Sequence, residues 1–239
     1  MLSFVRYNIF SMDLATHYDQ LFTQSVKAIL NHNYVIDTQI DSETDQRFGI
    51  TVLIRPPESI KNKIQSFLNE LKGVDDLQYY YPNSDIHITV LSIISCYDGF
   101  NLNLINPSEY IAIIQENLIS LKKLEISFNG ITASNSTIMI QGFPSNDSLN
   151  SLRDALRKAF QNSTLKQSID SRYPLFTAHS SVCRFRKPIA KTQKIIDVLE
   201  DYRSINFGKF EVSELELVYN DWYQKTEKTT LLHQFSVPK

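Results

Sequence analysis

The chain has 239 residues, 42% hydrophobic and 21% charged, with a formal net charge of −2. That composition builds a globular protein with a sizeable core, and it offers no global basic field for gripping a long nucleic acid, although a short phosphate ligand needs only a few local donors. Cys96 and Cys183 stand alone, with no CxxC pair. They read as two reduced, buried thiols rather than a disulfide scaffold or a zinc site. No apolar run approaches the roughly 20 residues that span a bilayer. The N-terminal stretch MLSFVRYNIFSMDLATHYDQ lacks the basic, apolar and small-residue sections of a secretory signal. A cytoplasmic location without membrane attachment is therefore expected.

Residues 1–46 read as a helical N-terminal extension. Ser11-Met12-Asp13 can start a helix, and Leu14, Tyr18, Phe22, Val26 and Leu30 follow at helical spacing. Asp37 to Gln46 is polar and reads as a loop. A strand, Phe48 to Ile54, closes on Arg55-Pro56-Pro57, and the prolines suit the start of a helix over Glu58–Lys72. Ile60, Ile64, Phe67, Leu68 and Leu71 form its apolar stripe, and Gly73 is a natural stop. Leu77–Tyr81 reads as a strand, Pro82-Asn83-Ser84 as a turn, and Asp85–Ile94 as a further strand. A loop over 97–106 leads to a helix over Pro107–Leu121. The second half predicts strands over Leu124–Gly130 and Thr137–Phe143, a helix over Asp147–Gln161 and a loop over 162–175 that holds Arg172, Tyr173 and Pro174. A strand over Thr177–Phe185, a helix from Pro188 to Tyr202, and two last strands near Lys209–Tyr219 and Thr229–Val237 complete the order. Neighbouring strands often lack room for a crossover helix, so an α+β fold with mostly antiparallel pairing is expected.

The six glycines make neither a Walker loop nor a dinucleotide fingerprint, and GxSxG and HExxH are both missing. What remains is a repeated pattern. In Asp85-Ile86-His87-Ile88-Thr89-Val90 the alternation puts Asp85, His87 and Thr89 on one face, and in Thr177-Ala178-His179-Ser180-Ser181-Val182 it puts Thr177, His179 and Ser181 on one face. A lone histidine on a half-buried strand is most often a packed or surface residue. Two copies with a hydroxyl at the same offset make a natural acid/base couple, because each ring ordinarily titrates near ~6.5 and one neutral and one charged ring can coexist at neutral pH. One ring can deprotonate water and the other protonate a leaving alkoxide, while Thr89 and Ser181 donate to non-bridging phosphate oxygens. No metal or cofactor is required by that scheme.

The pair HITV and HSSV resembles the two-histidine (2H) phosphoesterase superfamily, whose signature is H-x-T/S-hydrophobic, twice. The stretch FGITVLIRPPESIKNKI is similar to the family's opening strand and helix, and HSSVCR to its second motif, which implies a phosphate-contacting role for Arg184. LEISFNGI, TIMIQGFP and FEVSELELVYNDW are also similar to the 2′-5′ RNA ligase-like branch, so the resemblance covers residues 47 to 237. It implies a single bilobal domain over 47–239, two mostly antiparallel sheets flanked by helices, and pseudo-twofold symmetry about a central cleft. It further implies metal-independent hydrolysis of a 2′,3′-cyclic nucleotide or RNA end, with 2′-5′ ligation as an alternative, by a protein expected to be a monomer. Arg184 has the opposite strand parity to His179, so it reaches a phosphate only if the strand twists or bulges between them.

Several further residues are candidates. Tyr81, in the run Tyr79-Tyr80-Tyr81, and Tyr223, beside Trp222, can stack on a base or simply pack a sheet. Asp85 can orient the His87 ring or cap a turn. His17, His32 and His233 read as incidental. Two other classes compete: a nucleotide- or RNA-end-binding module without turnover, and a metal site using His87, His179 and Asp85, which is a thin ligand set.

Overall fold

The computed structural model describes residues 13–119 and 121–237. Ser11 and Met12, assigned above to a helix start, lie outside them. Helix α1 runs over Leu14–Leu30 and buries Tyr18, Phe22, Ser25 and Ile29, while Leu30 is exposed. There follow β1 (Arg47–Ile54), α2 (Glu58–Val74), β2 (Tyr79–Tyr80), β3 (Ile88–Asp98), α3 (Pro107–Leu118), β4 (Glu125–Ala133), β5 (Thr137–Pro144) and α4 (Ser148–Gln161). Then come β6 (Ser180–Arg184), α5 (Thr192–Asp201), β7 (Asn206–Glu211), β8 (Glu214–Asp221) and β9 (Thr230–Ser236).

The fold is α+β, with two antiparallel sheets. One has four strands in the order β3-β1-β8-β9, and the other five in the order β2-β6-β5-β4-β7. Helices α3 and α4 pack on the first, against β9 and β3, while α1 and α2 pack on the second, against β4, β6 and β7. The helices are therefore exchanged: α2 follows a strand of one sheet and covers the other, and α4 does the reverse. Local chemistry supports these elements. Pro107 opens α3, with the Asn106 side chain accepting the Ser108 N–H at 3.2 Å. The α2 stripe Ile60, Ile64, Phe67, Leu68 and Leu71 is buried. Strand β1 lies between β3 and β8, and its last six residues are all buried.

One expected strand is two. Lys209–Tyr219 reads as continuous because Phe210, Val212, Leu215 and Leu217 are all apolar and no glycine or proline interrupts them. The chain breaks at Val212-Ser213 and crosses between sheets: β7 pairs with β4, and β8 pairs with β1 and β9. The break has its own bonds, since the Val212 N–H donates to the Leu124 carbonyl at 2.8 Å and Ser213 accepts from Val237 at 2.8 Å. Between β1 and α2 the chain holds to expectation, whereas the Leu77–Tyr81 strand shortens to Tyr79–Tyr80.

The N-terminal helix is bonded into the second sheet. The Tyr18 hydroxyl donates to Gly142 at 3.2 Å, Ser25 Oγ donates to Ala133 at 2.7 Å, and Thr132 Oγ1 donates to the Tyr18 carbonyl at 2.9 Å.

Candidate active site

Each sheet delivers one histidine motif, and the two motifs share an irregularity. His87 and His179 each stand one residue before a strand, not inside it as the alternation implies. Asp85 is in a turn closed by its N–H to the Pro82 carbonyl at 3.0 Å, so β3 begins only at Ile88. Ala178 passes so close over Gly142 that a Cβ there would collide with the Ala178 carbonyl. Beyond the histidines both strands bulge. In β3 the pairing steps from Leu53↔Thr89 to Val52↔Leu91 and leaves Val90 unmatched; in β6 it steps from Met139↔Ser181 to Ile138↔Cys183 and leaves Val182 unmatched. Each bulge thus follows the hydroxyl residue by one position. In β6 it resets the side-chain parity and brings Arg184 to the face that carries His179 and Ser181.

These faces enclose a cavity of about 220 Å³. His87, His179, Thr89, Ser181, Arg184, Tyr81 and Tyr223 line it, and Asp85 does not. Each ring is held at Nδ1 from two residues back: His87 against the Asp85 carbonyl at 2.7 Å, His179 against Thr177 Oγ1 at 2.6 Å. A carbonyl can only accept, so His87 carries its proton on Nδ1 and leaves Nε2 as the basic nitrogen. Both rings are half-buried, and the site suppresses their charge. Burial, then the Arg55 guanidinium, pushes His87 down to about 4. Burial, then Arg153, His17 and Arg184, pushes His179 down to about 4. On the protein's own groups alone, both rings are therefore neutral at pH 7, not the mixed pair expected from their ordinary values.

Arg184 is a cation in the cavity wall. Its Nε donates to the Tyr81 hydroxyl at 2.8 Å, its Nη1 to Asp37 at 3.4 Å, and its guanidinium carbon lies 5.3 Å from the Tyr223 ring centre. Tyr81 and Tyr223 are 2% and 3% exposed, so their faces are covered and the base-stacking expectation does not fit them. They brace Arg184 instead: Asp37 also accepts the Tyr223 hydroxyl at 2.7 Å. The accessible aromatics are at the mouth. Tyr173 is 66% exposed, and half-buried Trp222 carries the Arg172 guanidinium 3.7 Å from its ring centre and that of Arg47 at 4.4 Å.

Other expectations are resolved by contacts. The Asp85 carboxylate is buried away from His87, accepting the Thr226 N–H and hydroxyl at 3.1 and 2.6 Å; its backbone, not its side chain, holds the ring. Its engagement there removes the third donor from the metal-site alternative, and no group of three His, Cys, Asp or Glu converges among the described residues. The His17 ring packs edge-on against Phe176, with ring centres 4.7 Å apart, and is one of the groups that lower the His179 pKa. Asp37, Arg153 and Arg172 were not selected from the sequence. Arg153 had a signal, since it falls between Leu149 and Leu156 on the apolar face of α4.

Residues 56–223 match the family model of the 2′-5′ RNA ligase superfamily. The chain belongs to that superfamily. The resemblance to the 2H superfamily is thereby borne out, and the matched span includes both histidine segments together with Arg153, Arg172, Arg184 and Trp222. An RNA 2′,3′-cyclic phosphodiesterase of Archaeoglobus fulgidus is 24% identical over 172 residues, covering 70% of this chain and 87% of that protein. Among solved structures, TT0787 of Thermus thermophilus superposes with a TM-score of 0.57 at 13% identity, covering 79% of this chain and 97% of the other. E. coli LigT complexed with 3′-AMP gives 0.55 at 11%, covering 81% and 99%. Helix α1, Asp37 and Arg47 lie outside the superfamily match, yet Asp37 and Arg47 reach the residues around the cavity.

Proposed function

We propose that this protein hydrolyses a cyclic phosphodiester, a 2′,3′-cyclic nucleotide or the cyclic-phosphate end of an RNA, by acid–base catalysis at His87 and His179. The observation that carries the reading is the convergence of two His-x-hydroxyl-bulge segments from different sheets on one cavity beside Arg184. One neutral ring accepts a proton from water as its oxygen bonds to phosphorus. The other, charged once phosphate is present, gives its proton to the ribose oxygen as the P–O bond breaks, and a phosphomonoester is released. Thr89, Ser181 and the uncommitted N–H groups of Arg184 stabilise the non-bridging oxygens as their charge grows. Trp222, Tyr173 and Arg172 supply the surface for the nucleoside at the mouth. The names of the A. fulgidus relative and of the nucleotide complex of LigT support a small nucleotide or RNA end as ligand. We read residues 47–239 as one bilobal catalytic unit and 1–46 as its helical extension, acting as a monomer. The free thiols of Cys96 and Cys183 fit a reducing, cytoplasmic setting.

The test is turnover of 2′,3′-cyclic nucleotides and short RNA ends in EDTA. His87→Ala and His179→Ala should each remove nearly all of it. Full activity in either variant overturns the assignment. Tight binding without product returns the binding-module reading, and activity lost to chelator and restored by one metal returns the metal reading.

A further inference from the structure

Arg153 is 0% exposed and, among the described residues, forms no ion pair with a carboxylate. A buried guanidinium without a counter-charge persists only where its N–H groups are satisfied. Here they are satisfied almost wholly by main chain. Nε donates to the Val90 carbonyl at 2.9 Å, Nη2 to the Thr89 carbonyl at 2.9 Å and to the Thr177 carbonyl at 2.8 Å, and Nη1 to the Asn150 side chain at 3.1 Å.

The choice of carbonyls is what matters. Strand β3 is an edge strand, and the bulge at Val90 lets the consecutive carbonyls of Thr89 and Val90 serve one donor group. Thr89 lies two residues after His87, and Thr177 two residues before His179, whose ring its hydroxyl holds. The two segments belong to different sheets, and one side chain from α4 bonds to both. We propose that Arg153 is a positioning residue of this site, tying the Thr89–Val90 and Thr177 backbones to one helix so that the two histidine-bearing segments keep a fixed spacing across the cavity. The inference rests on the acid–base reading above, in which both rings must address one phosphorus atom.

The geometry also makes Arg153 a fixed charge behind His179. The other titratable or charged groups that face that ring are His87 across the cavity, His17 on α1 and Arg184 on β6, with the hydroxyls of Thr177 and Tyr18 as neutral neighbours. This separates positioning from general stability. Arg153→Met should keep a cooperative melt, lose kcat by on the order of 10²-fold and change KM by no more than about threefold. The acid limb of its kcat/KM profile should move up by about one pH unit as the repulsion is removed. Arg153→Lys keeps the charge but not the fork; its limb should stay in place while kcat recovers only in part. Wild-type kcat in either variant overturns the proposal, as does a loss that tracks the unfolded fraction with an unmoved limb. If Arg153→Met does not fold, Arg153→Lys decides alone by its kcat. If the wild-type protein turns over no cyclic phosphodiester, the functional reading has failed. Histidine-ring NMR then still tests Arg153, since the His179 titration should rise in Arg153→Met, and an unchanged titration rejects the inference.

Discussion

Substrate should switch this site on by charging one of its own histidines. With both rings pushed down to about 4, roughly one in 10³ of either is protonated at pH 7. The acid of the proposed reaction is therefore almost unpopulated before binding. A phosphodiester monoanion about 4 Å from a ring, at an effective dielectric near 20, favours the charged ring by about 4 kcal/mol. That is about 3 pH units, and its sign is upward because an opposite charge stabilises the cation. One ring then moves from about 4 to near 7, where it can donate. Since kcat/KM reports the free protein and kcat the complex, the two profiles should separate. The basic limb of the kcat profile should lie near neutrality, and that of kcat/KM about 3 units lower. Steady-state rates on a 2′,3′-cyclic nucleotide, with histidine-ring NMR titrations with and without the nucleoside monophosphate product, read both. Coincident profiles, or rings that titrate near their ordinary ~6.5 in the ligand-free protein, would refute the reasoning.

Arg184→Met should lower kcat/KM by the worth of one charge-assisted contact, about 2–3 kcal/mol or roughly 30–150-fold, with Arg184→Lys recovering only part because the fork is lost. A change under about threefold would remove Arg184 from the phosphate. Gly142→Ala forces the Ala178 carbonyl to move, and His179 is the next residue. Its kcat should fall at least about tenfold, and wild-type kinetics would show that the His179 segment tolerates displacement. Acid stability follows from the same lowered rings. The stabilisation of their neutral forms is fully present above ~6.5 and is lost as pH falls toward about 4, by on the order of 3 kcal/mol per ring. Urea midpoints should drop across that window in the wild-type protein and drop less in His87→Ala and His179→Ala, whereas equal slopes would show that the rings are not held neutral.

What was legible in the chain is what short-range alternation encodes. The α2 stripe and the two motifs each sit within one element, so period and offset suffice to find them. The β7–β8 break was hidden because Val212, at the crossing itself, is apolar and buried; its only mark is the shift of apolar positions from 210 and 212 to 215 and 217. The bulges at Val90 and Val182 were illegible for a related reason: a bulge is defined by the partner strand, and nothing in Val90 or Val182 itself marks it as the residue left unmatched. Tyr81 and Tyr223 line the cavity, but residue type alone does not say whether a ring offers its face or its hydroxyl.

Arg153 shows where the remaining information lay. A charged residue among Leu149, Leu152 and Leu156 contradicts the face it occupies, and such a contradiction persists only if something distant satisfies it. The partners turn out to be carbonyls that two bulged or terminating segments leave unpaired, one on each side of the cavity. The irregularities that turn the functional side chains inward therefore expose backbone oxygens, and the buried guanidinium absorbs them. In that sense the mismatch in α4 and the two bulges are one feature, in which the strands can deform to build the site because a cation from the opposite layer bonds the oxygens that the deformation frees.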